Sequence, residues 1–335
     1  MTYSAQSARP AQLRLLNTYK DLYQVANLVE MCFASNMDED GRMYIRQMRR
    51  VAREIQLLRL PMLRLEGFVW EHQGEIIGNV ALIPFVEGAR KRYLIANVAV
   101  HPHFRRQGIA RRMTQAAVLY ARNKGAESCW LQVRDDNPGA IELYRSLNFR
   151  ERARRTTWYW EGSPGEGIRP DNGLKITQRI SQDWRCQQEW LDQIYPRSLR
   201  WNLSLDIDRL KPGLVNRLQQ ILRHQAISHW AVRDHGHLLG LASLEPTQMA
   251  TDNLWVACRP DVENTALLGL LSYLWEKVGY RRPVSINYPY GRGEESFLRA
   301  GCTPHNTLIW MELPLSEPLA RDYGVDNETD HSTAD

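Results

Sequence analysis

The 335-residue chain has only five cysteines, Cys32, Cys129, Cys186, Cys258 and Cys302. They lie far apart, with no C-x-x-C pair and no histidines at zinc spacing. This excludes a disulfide-stapled scaffold or a zinc module, and the odd number and scatter fit reduced thiols in a cytoplasm. No apolar run approaches the roughly 20 residues of a membrane span, and residues 1–10 hold no apolar leader core. A soluble cytoplasmic protein with no membrane partner is the expectation. A Walker loop, a G-x-S-x-G elbow and an H-E-x-x-H pair are also missing, which leaves P-loop, serine-hydrolase and zincin chemistry without support. His101-Pro-His103 reads as loop, and no metal site is expected.

What is present suffices for two cores, because 335 residues exceed the usual single-core size and 43% of them are hydrophobic. The net charge of +5 is a mild basic bias that suits an anionic ligand without requiring nucleic acid, and no nucleic-acid partner is expected.

Along the chain, residues 13–16 read as a strand and 21–33 as an amphipathic helix. The next helix places Tyr44, Met48, Val51, Ile55 and Leu58 on one face. Arg42, Arg46, Arg49 and Arg53 line another, read as a solvated basic face. Residues 68–72 and 75–83 alternate as a hairpin turning at Gln73-Gly74. A strand at 93–100, a helix at 106–124 ended by Gly125, a strand at 128–133, a helix at 138–147 and a strand at 155–160 follow. This order implies a parallel strand pair attached to antiparallel hairpins.

Residues 162–173 are rich in Gly, Pro and charge, as in a linker, and beyond them the order begins again. Arg233-Asp-His-Gly-His-Leu-Leu-Gly-Leu-Ala-Ser-Leu244 echoes Glu71-His-Gln-Gly-Glu-Ile-Ile-Gly-Asn-Val-Ala-Leu82, glycine for glycine. Trp255-Val-Ala-Cys-Arg-Pro260 echoes Asn97-Val-Ala-Val-His-Pro102, and Leu298–Cys302 echoes Arg145–Phe149. Three echoes in one order argue for a duplicated domain. The expected division is 1–165, 172–315 and an acidic, disordered tail at 316–335.

The chemistry concentrates at Asn97-Val-Ala-Val-His-Pro-His-Phe-Arg-Arg-Gln-Gly-Ile-Ala-Arg-Arg-Met113. A strand stops at His101-Pro102 and a loop containing Gly108 opens into a helix. Backbone N–H groups from Arg106 through Gln107, Gly108, Ile109 and Ala110 to Arg111 can then converge on a pyrophosphate at the positive end of the helix dipole. Gly108 and Ala110 allow close approach, and Arg105, Arg106, Arg111 and Arg112 add charge. A second element follows in which Asn137 reads as an N-cap with Pro138 at the first helical position. Tyr144 is either a packed core residue or a phenolic proton donor.

Together these elements resemble the motifs of the GNAT superfamily of acyl-CoA-dependent N-acyltransferases. The R/Q-x-x-G-x-G/A signature appears as Arg105-x-x-Gly108-x-Ala110. Within that superfamily, Asn97-Val-Ala-Val, Leu131-Gln-Val-Arg and the ending Trp158-Tyr-Trp160 are most similar to the acetyltransferases that modify the N-terminal alanine of a ribosomal protein. The resemblance implies two tandem mixed α/β domains, each a mainly antiparallel sheet with a parallel central pair and flanking helices. It implies acetyl-CoA as cosubstrate and a primary amine, on a protein N-terminus or a small molecule, as acceptor. It also implies that the backbone of Val98, Ala99 and Val100 aligns pantetheine and thioester and that Arg106–Arg111 holds the pyrophosphate. Asn137 would touch the coenzyme, and Tyr144 would protonate the leaving sulfur.

Two positions depart from the pattern. Asn148 replaces a glycine, and Gln132 stands where the relatives carry a glutamate base. In the second repeat, Asp261-Val-Glu-Asn-Thr265 replaces the arginine loop and Phe297 stands for Tyr144, so that copy is expected to be degenerate. The alternative from another class is a non-catalytic acyl-CoA sensor or scaffold, which would bind acetyl-CoA without releasing CoA.

Overall fold

The computed structural model describes residues 11–58, 65–160, 173–213, 216, 226–278 and 282–316. The chain forms two compact units, one running to Ala153 and resuming at Ile309, the other comprising Arg154–Leu308.

The first unit contains β1 (Gln12–Leu15), α1 (Thr18–Phe33), α2 (Glu39–Leu58), β2 (Glu66–His72), β3 (Glu75–Glu87), β4 (Arg90–Val100), α3 (Ile109–Asn123), β5 (Ser128–Arg134) and α4 (Pro138–Ser146). Next comes β6 (Arg150–Trp160), and the unit's last strand is the end of β12 (Thr303–Pro314). Its strand order is β1-β2-β3-β4-β5-β12, with β1 to β4 antiparallel and β4–β5 parallel. Helix α1 starts where Asn17 Oδ1 accepts hydrogen bonds from the amides of Tyr19 and Lys20, at 3.1 and 3.2 Å. Its Leu22, Val25, Ala26 and Val29 repeat at helical spacing and pack with α2 on one face of the sheet, while Met113, Ala117 and Val118 of α3 belong to a separate core.

Helix α2 is rotated relative to the expected face. Ile45, Met48, Ala52 and Ile55 are buried, whereas Tyr44 is 45% exposed. The spacing 45-48-52-55 is an equally good helical stripe, and it buries an aliphatic side chain while the Tyr44 phenol stays in water. The arginines of α2 are largely ion-paired. Arg42 and Arg46 reach Glu39 at 2.9 and 2.6 Å, Arg50 reaches Glu54 at 2.8 Å and Arg49 pairs with Glu30. This is a solvated charged face, where water and salt screen such pairs and they add little to stability.

The second unit repeats the plan with β7 (Leu174–Gln178), α5 (Trp184–Ile194), α6 (Arg197–Arg200), α7 (Ile207–Leu210), β8 (Ser228–Asp234), β9 (His237–Glu245), β10 (Asp252–Cys258), α8 (Glu263–Val278), β11 (Val284–Pro289) and α9 (Glu294–Arg299). Its strand order is β7-β8-β9-β10-β11-β6. The sequence echoes are structural ones. Gln73 and Gly74 turn the first hairpin with φ of 54° and 87°, and His235 and Gly236 turn the second with 44° and 86°. Each hairpin shifts register at the same place, at Trp70/Glu71 and at Val232/Arg233. The Phe149 amide bonds the Tyr144 carbonyl at 3.0 Å, as the Cys302 amide bonds that of Phe297 at 2.9 Å.

The closing strands are exchanged between the repeats. Residues 155–160 form a strand as expected, but from Arg154 onward β6 belongs to the second unit, where Trp158 and Trp160 enter the core. The first unit is closed instead by Ile309, Met311, Leu313 and Leu315, all at most 5% exposed. The expected linker at 162–173 and tail at 316–335 lie, apart from Gly173 and Ser316, outside the described residues. Among the described residues no helix is long and apolar enough to cross a membrane.

Two predictions follow from this packing. Met311→Ala empties a fully buried site and should cost about 2–5 kcal/mol, read as a lower thermal midpoint of the first unit. A chain ended at residue 165 lacks the closing strand and should show no cooperative unfolding; a cooperative transition there would mean β12 is dispensable. The second concerns His229, whose pKa burial lowers, with help from the Arg179 charge, from 6.5 to about 3. Gln187 Nε2 donates to Ser243 Oγ at 2.9 Å, and Ser243 lies 2.8 Å from His229 Nδ1. The imidazole is thus held in a buried hydrogen-bonded chain that offers no carboxylate to stabilise its charge. Between those two pKa values the unfolded chain binds the extra proton and the folded chain does not, so stability should fall as pH drops from 6.5 towards 3. Denaturant titrations at several pH values should show this slope, and His229→Gln should flatten it.

Candidate coenzyme site

Strands β4 and β5 pair for four residues, from Arg92↔Ser128 to Ile95↔Leu131, although β4 continues to Val100 and β5 to Arg134. Beyond Ile95 the parallel ladder opens. The amide of His101 bonds the Ile77 carbonyl at 2.8 Å, flanking the pair Gly78↔Val100. In an antiparallel ladder this turns the N–H and C=O of Val100 away from β3, towards the opening. The Val100 carbonyl accepts from Arg105 Nε at 3.1 Å and from the Cys32 thiol at 3.4 Å.

Just past the last parallel pair, at the start of the opening, β4 bulges. The register passes from Ala81↔Ala96 to Asn79↔Ala99, so β4 carries one extra residue, and Asn97 has φ of 50°. The Asn97 carbonyl accepts from Asn79 Nδ2 at 2.9 Å. Asn79 is 1% exposed and its Oδ1 has no donor among the described residues. An orphaned buried acceptor costs about 1–3 kcal/mol. Sequence reading missed Asn79; the available signal was a lone amide inside the apolar run from Ile76 to Leu82.

After β4, Pro102–Phe104 makes one 3₁₀ turn and Arg105 is extended. Arg106 then has φ of 64° and Gly108 of 76°, and α3 starts at Ile109. The helix expected from 106 therefore begins three residues later, because two left-handed residues interrupt it. That alternation points successive N–H groups to one side. The amides of Ile109, Ala110 and Arg111 add to them, since the first turn of a helix has no internal acceptors. A Cβ on Gly108 would meet no atom within 4 Å, so the space before the loop is open. Arg106 and Gln107 are exposed around it.

Helix α4 brings the second element. Asn137 Oδ1 caps it, accepting from the Ala140 amide at 3.1 Å. Arg111 donates to Ser146 Oγ at 2.6 Å, which holds the Tyr144 end of α4 to the first turn of α3. Tyr144 is 7% exposed and edge-on to Phe149 at 6.0 Å, and burial pushes its pKa up to about 12. Gln132 is half-buried and is the first β5 residue beyond the paired stretch.

In the second unit the corresponding positions are filled by the protein's own side chains. Glu263 begins α8 and accepts hydrogen bonds from the Tyr288 hydroxyl and from Arg292 at 2.7 Å, so a carboxylate stands at the head of this helix. Arg155 is buried with no carboxylate partner among the described residues, and donates to the Ile194 carbonyl at 2.8 Å and to the Asn287 carbonyl at 3.2 Å. Its guanidinium lies 5.0 Å from the ring of Tyr195, which is edge-on to Trp255 of β10. Arg155 and Tyr195 thus bridge β11 and β10 beyond their last parallel pair, Asn253↔Ser285. Phe297, in place of Tyr144, is fully buried and stacked on Trp158. Among the described residues, no group of three His, Cys, Asp or Glu could hold a metal.

Residues 29–149 match the model of the acetyltransferase (GNAT) family. The [ribosomal protein bS18]-alanine N-acetyltransferase of Escherichia coli K12 is 32% identical over 82 residues, 24% of this chain and 55% of that protein. N-alpha-acetyltransferase 30 of Schizosaccharomyces pombe is 34% identical over 76 residues, 23% of this chain and 51% of that protein. The chain therefore spans about half the length of the curated relatives it matches. A GCN5-related N-acetyltransferase from Sphaerobacter thermophilus aligns over 91% of this chain and 96% of its own, with a TM-score of 0.58 at 15% identity. A tandem GNAT protein from the clavulanic acid biosynthesis pathway aligns over 92% and 100%, with a TM-score of 0.52 at 15% identity. Residues 29–149 are thus similar to the acetyltransferase (GNAT) family, and the chain as a whole shares its fold with the tandem GNAT protein it aligns with.

Proposed function

We propose that the protein transfers an acetyl group from acetyl-CoA to a primary amine, on a protein N-terminus or a small molecule, and that only the first unit does so. The observation that carries this reading is the loop at 105–111. Its left-handed Arg106 and Gly108, the N–H groups at the start of α3, and the clear space before Gly108 form a cradle for a doubly charged pyrophosphate. The opening between β4 and β5 continues from that cradle, is edged by the backbone of Val98–Val100, and offers the outward N–H of Val100 to an extended pantetheine amide chain.

Acetyl-CoA supplies an activated thioester. The chain holds it, aligns its carbonyl with N–H groups of β4 that can stabilise the developing oxyanion, and places the acceptor against it. As the C–S bond breaks, Tyr144 donates its phenolic proton to the departing sulfur; burial keeps that phenol protonated at neutral pH. Gln132 cannot accept the proton that the amine loses. The acceptor therefore has to arrive neutral, and the proton its nitrogen sheds after attack passes to solvent water or restores the Tyr144 phenol; this favours an α-amine with pKa of about 7.7–8.0 over a lysine at about 10.4. The same glutamine favours the sensor reading, and release of CoA separates the two. All five cysteines are free thiols, which supports a reducing, cytoplasmic setting.

The deciding experiment is thiol release from acetyl-CoA across a panel of alanine-ended peptides, polyamines and amino-sugars. Gly108→Glu should reduce acetyl-CoA affinity at least tenfold, since a charged side chain at a positive φ enters the cradle; unchanged affinity would refute the cradle. Tyr144→Phe should lower kcat roughly 10²–10⁴-fold with little change in coenzyme affinity, and wild-type turnover would return Tyr144 to a packing role.

A further inference from the structure

The two repeats differ at a buried position that the loop and Tyr144 do not explain. Where the first unit has Asn79, the echo Glu71–Leu82 against Arg233–Leu244 puts Leu241, fully buried. The neighbours Gly78 and Gly240 confirm the match, each too close to a side chain for any Cβ. In the second unit β9 and β10 run in unbroken register from Asn253↔Glu245 to Cys258↔Gly240. In the first unit the register breaks beside Asn79, and the surplus residue falls at Asn97–Val98. The bulge and the buried amide occur together in one copy and are absent together from the other.

Their connection is direct. A bulge takes its carbonyl out of the ladder, and a buried carbonyl needs a donor. Asn79 Nδ2 supplies it to the Asn97 oxygen at 2.9 Å. The flipped amide would set two oxygens against each other, so this orientation is the one the geometry allows. The arrangement leaves Oδ1 buried and unpaired, so burial energy alone does not account for an asparagine here. Leucine at the same place would bury as well and would not support the bulge.

We infer that Asn79 is a positioning residue. By holding the Asn97 carbonyl it fixes the bulge, and the bulge aims the backbone N–H groups that follow Asn97 at the thioester carbonyl. The inference rests on the transferase reading and adds the group that sets its oxyanion contact. It acts through Asn97 and touches no reacting atom.

The test compares wild type with Asn79→Leu and Asn79→Asp in the full chain. Infrared difference spectra of bound acetyl-CoA labelled with ¹³C at the thioester carbonyl read the contact without any acceptor. Wild type should shift the carbonyl band to lower wavenumber, and Asn79→Leu should lose most of that shift. Its acetyl-CoA dissociation constant should stay within about threefold, because the pyrophosphate loop is untouched. With the best panel amine, kcat should fall roughly 10–100-fold, the scale of a misplaced oxyanion donor. Asn79→Asp can donate to the Asn97 carbonyl only when protonated, so its activity relative to wild type should rise as pH falls. Asn79→Leu with a wild-type band position and kcat would overturn the inference, as would an Asp variant whose relative activity ignores pH. Failure of wild type itself to bind acetyl-CoA would instead remove the transferase reading.

Discussion

Two strands that pair for four residues and then part expose backbone donors and acceptors in the middle of a sheet, and something has to satisfy them. In the first unit the parting of β4 from β5 is left open to a ligand. Its stray groups are held locally, the Asn97 carbonyl by Asn79 and the Val100 carbonyl by Arg105 and Cys32. In the second unit the same parting of β10 from β11 is closed by Arg155 and Tyr195, and the head of α8 is neutralised by Glu263. One architectural problem thus has two solutions in a single chain, and on the proposed function the difference between them separates a binding unit from a scaffold.

The exchange of closing strands gives that scaffold a further role. Each repeat contributes its last strand to the other unit, so Met311 and Leu313 complete the core that carries Tyr144, and Trp158 and Trp160 complete the core that carries Phe297. The first unit's core is unfinished without the strand that follows the second repeat.

Much of this was legible in the sequence, for identifiable physical reasons. Left-handed turns need particular residues, so Gln73-Gly74 and His235-Gly236 marked their hairpins, and Asn137-Pro138 marked the start of α4. The loop that opens into α3 was readable from Gly108, although the left-handed angle at Arg106 that delays α3 was not, since arginine gives no sign of it. The face of α2 was misplaced by one residue because Tyr44 and Ile45 both fit an apolar stripe. The strand exchange was invisible because 155–160 and 309–315 carry the same alternating pattern and either could close either sheet. Asn79 escaped because a single amide in a strand becomes informative only when its hydrogen bond to a bulge is seen.

The central claim is that one open seam and one filled seam lie in the same chain. Isothermal titration of the full-length protein with acetyl-CoA tests it most directly. The account predicts a single coenzyme site per chain, with a stoichiometry that Glu263→Ala leaves unchanged while Gly108→Glu abolishes it. Two equivalent sites, or binding that survives Gly108→Glu at full stoichiometry and affinity, would contradict it.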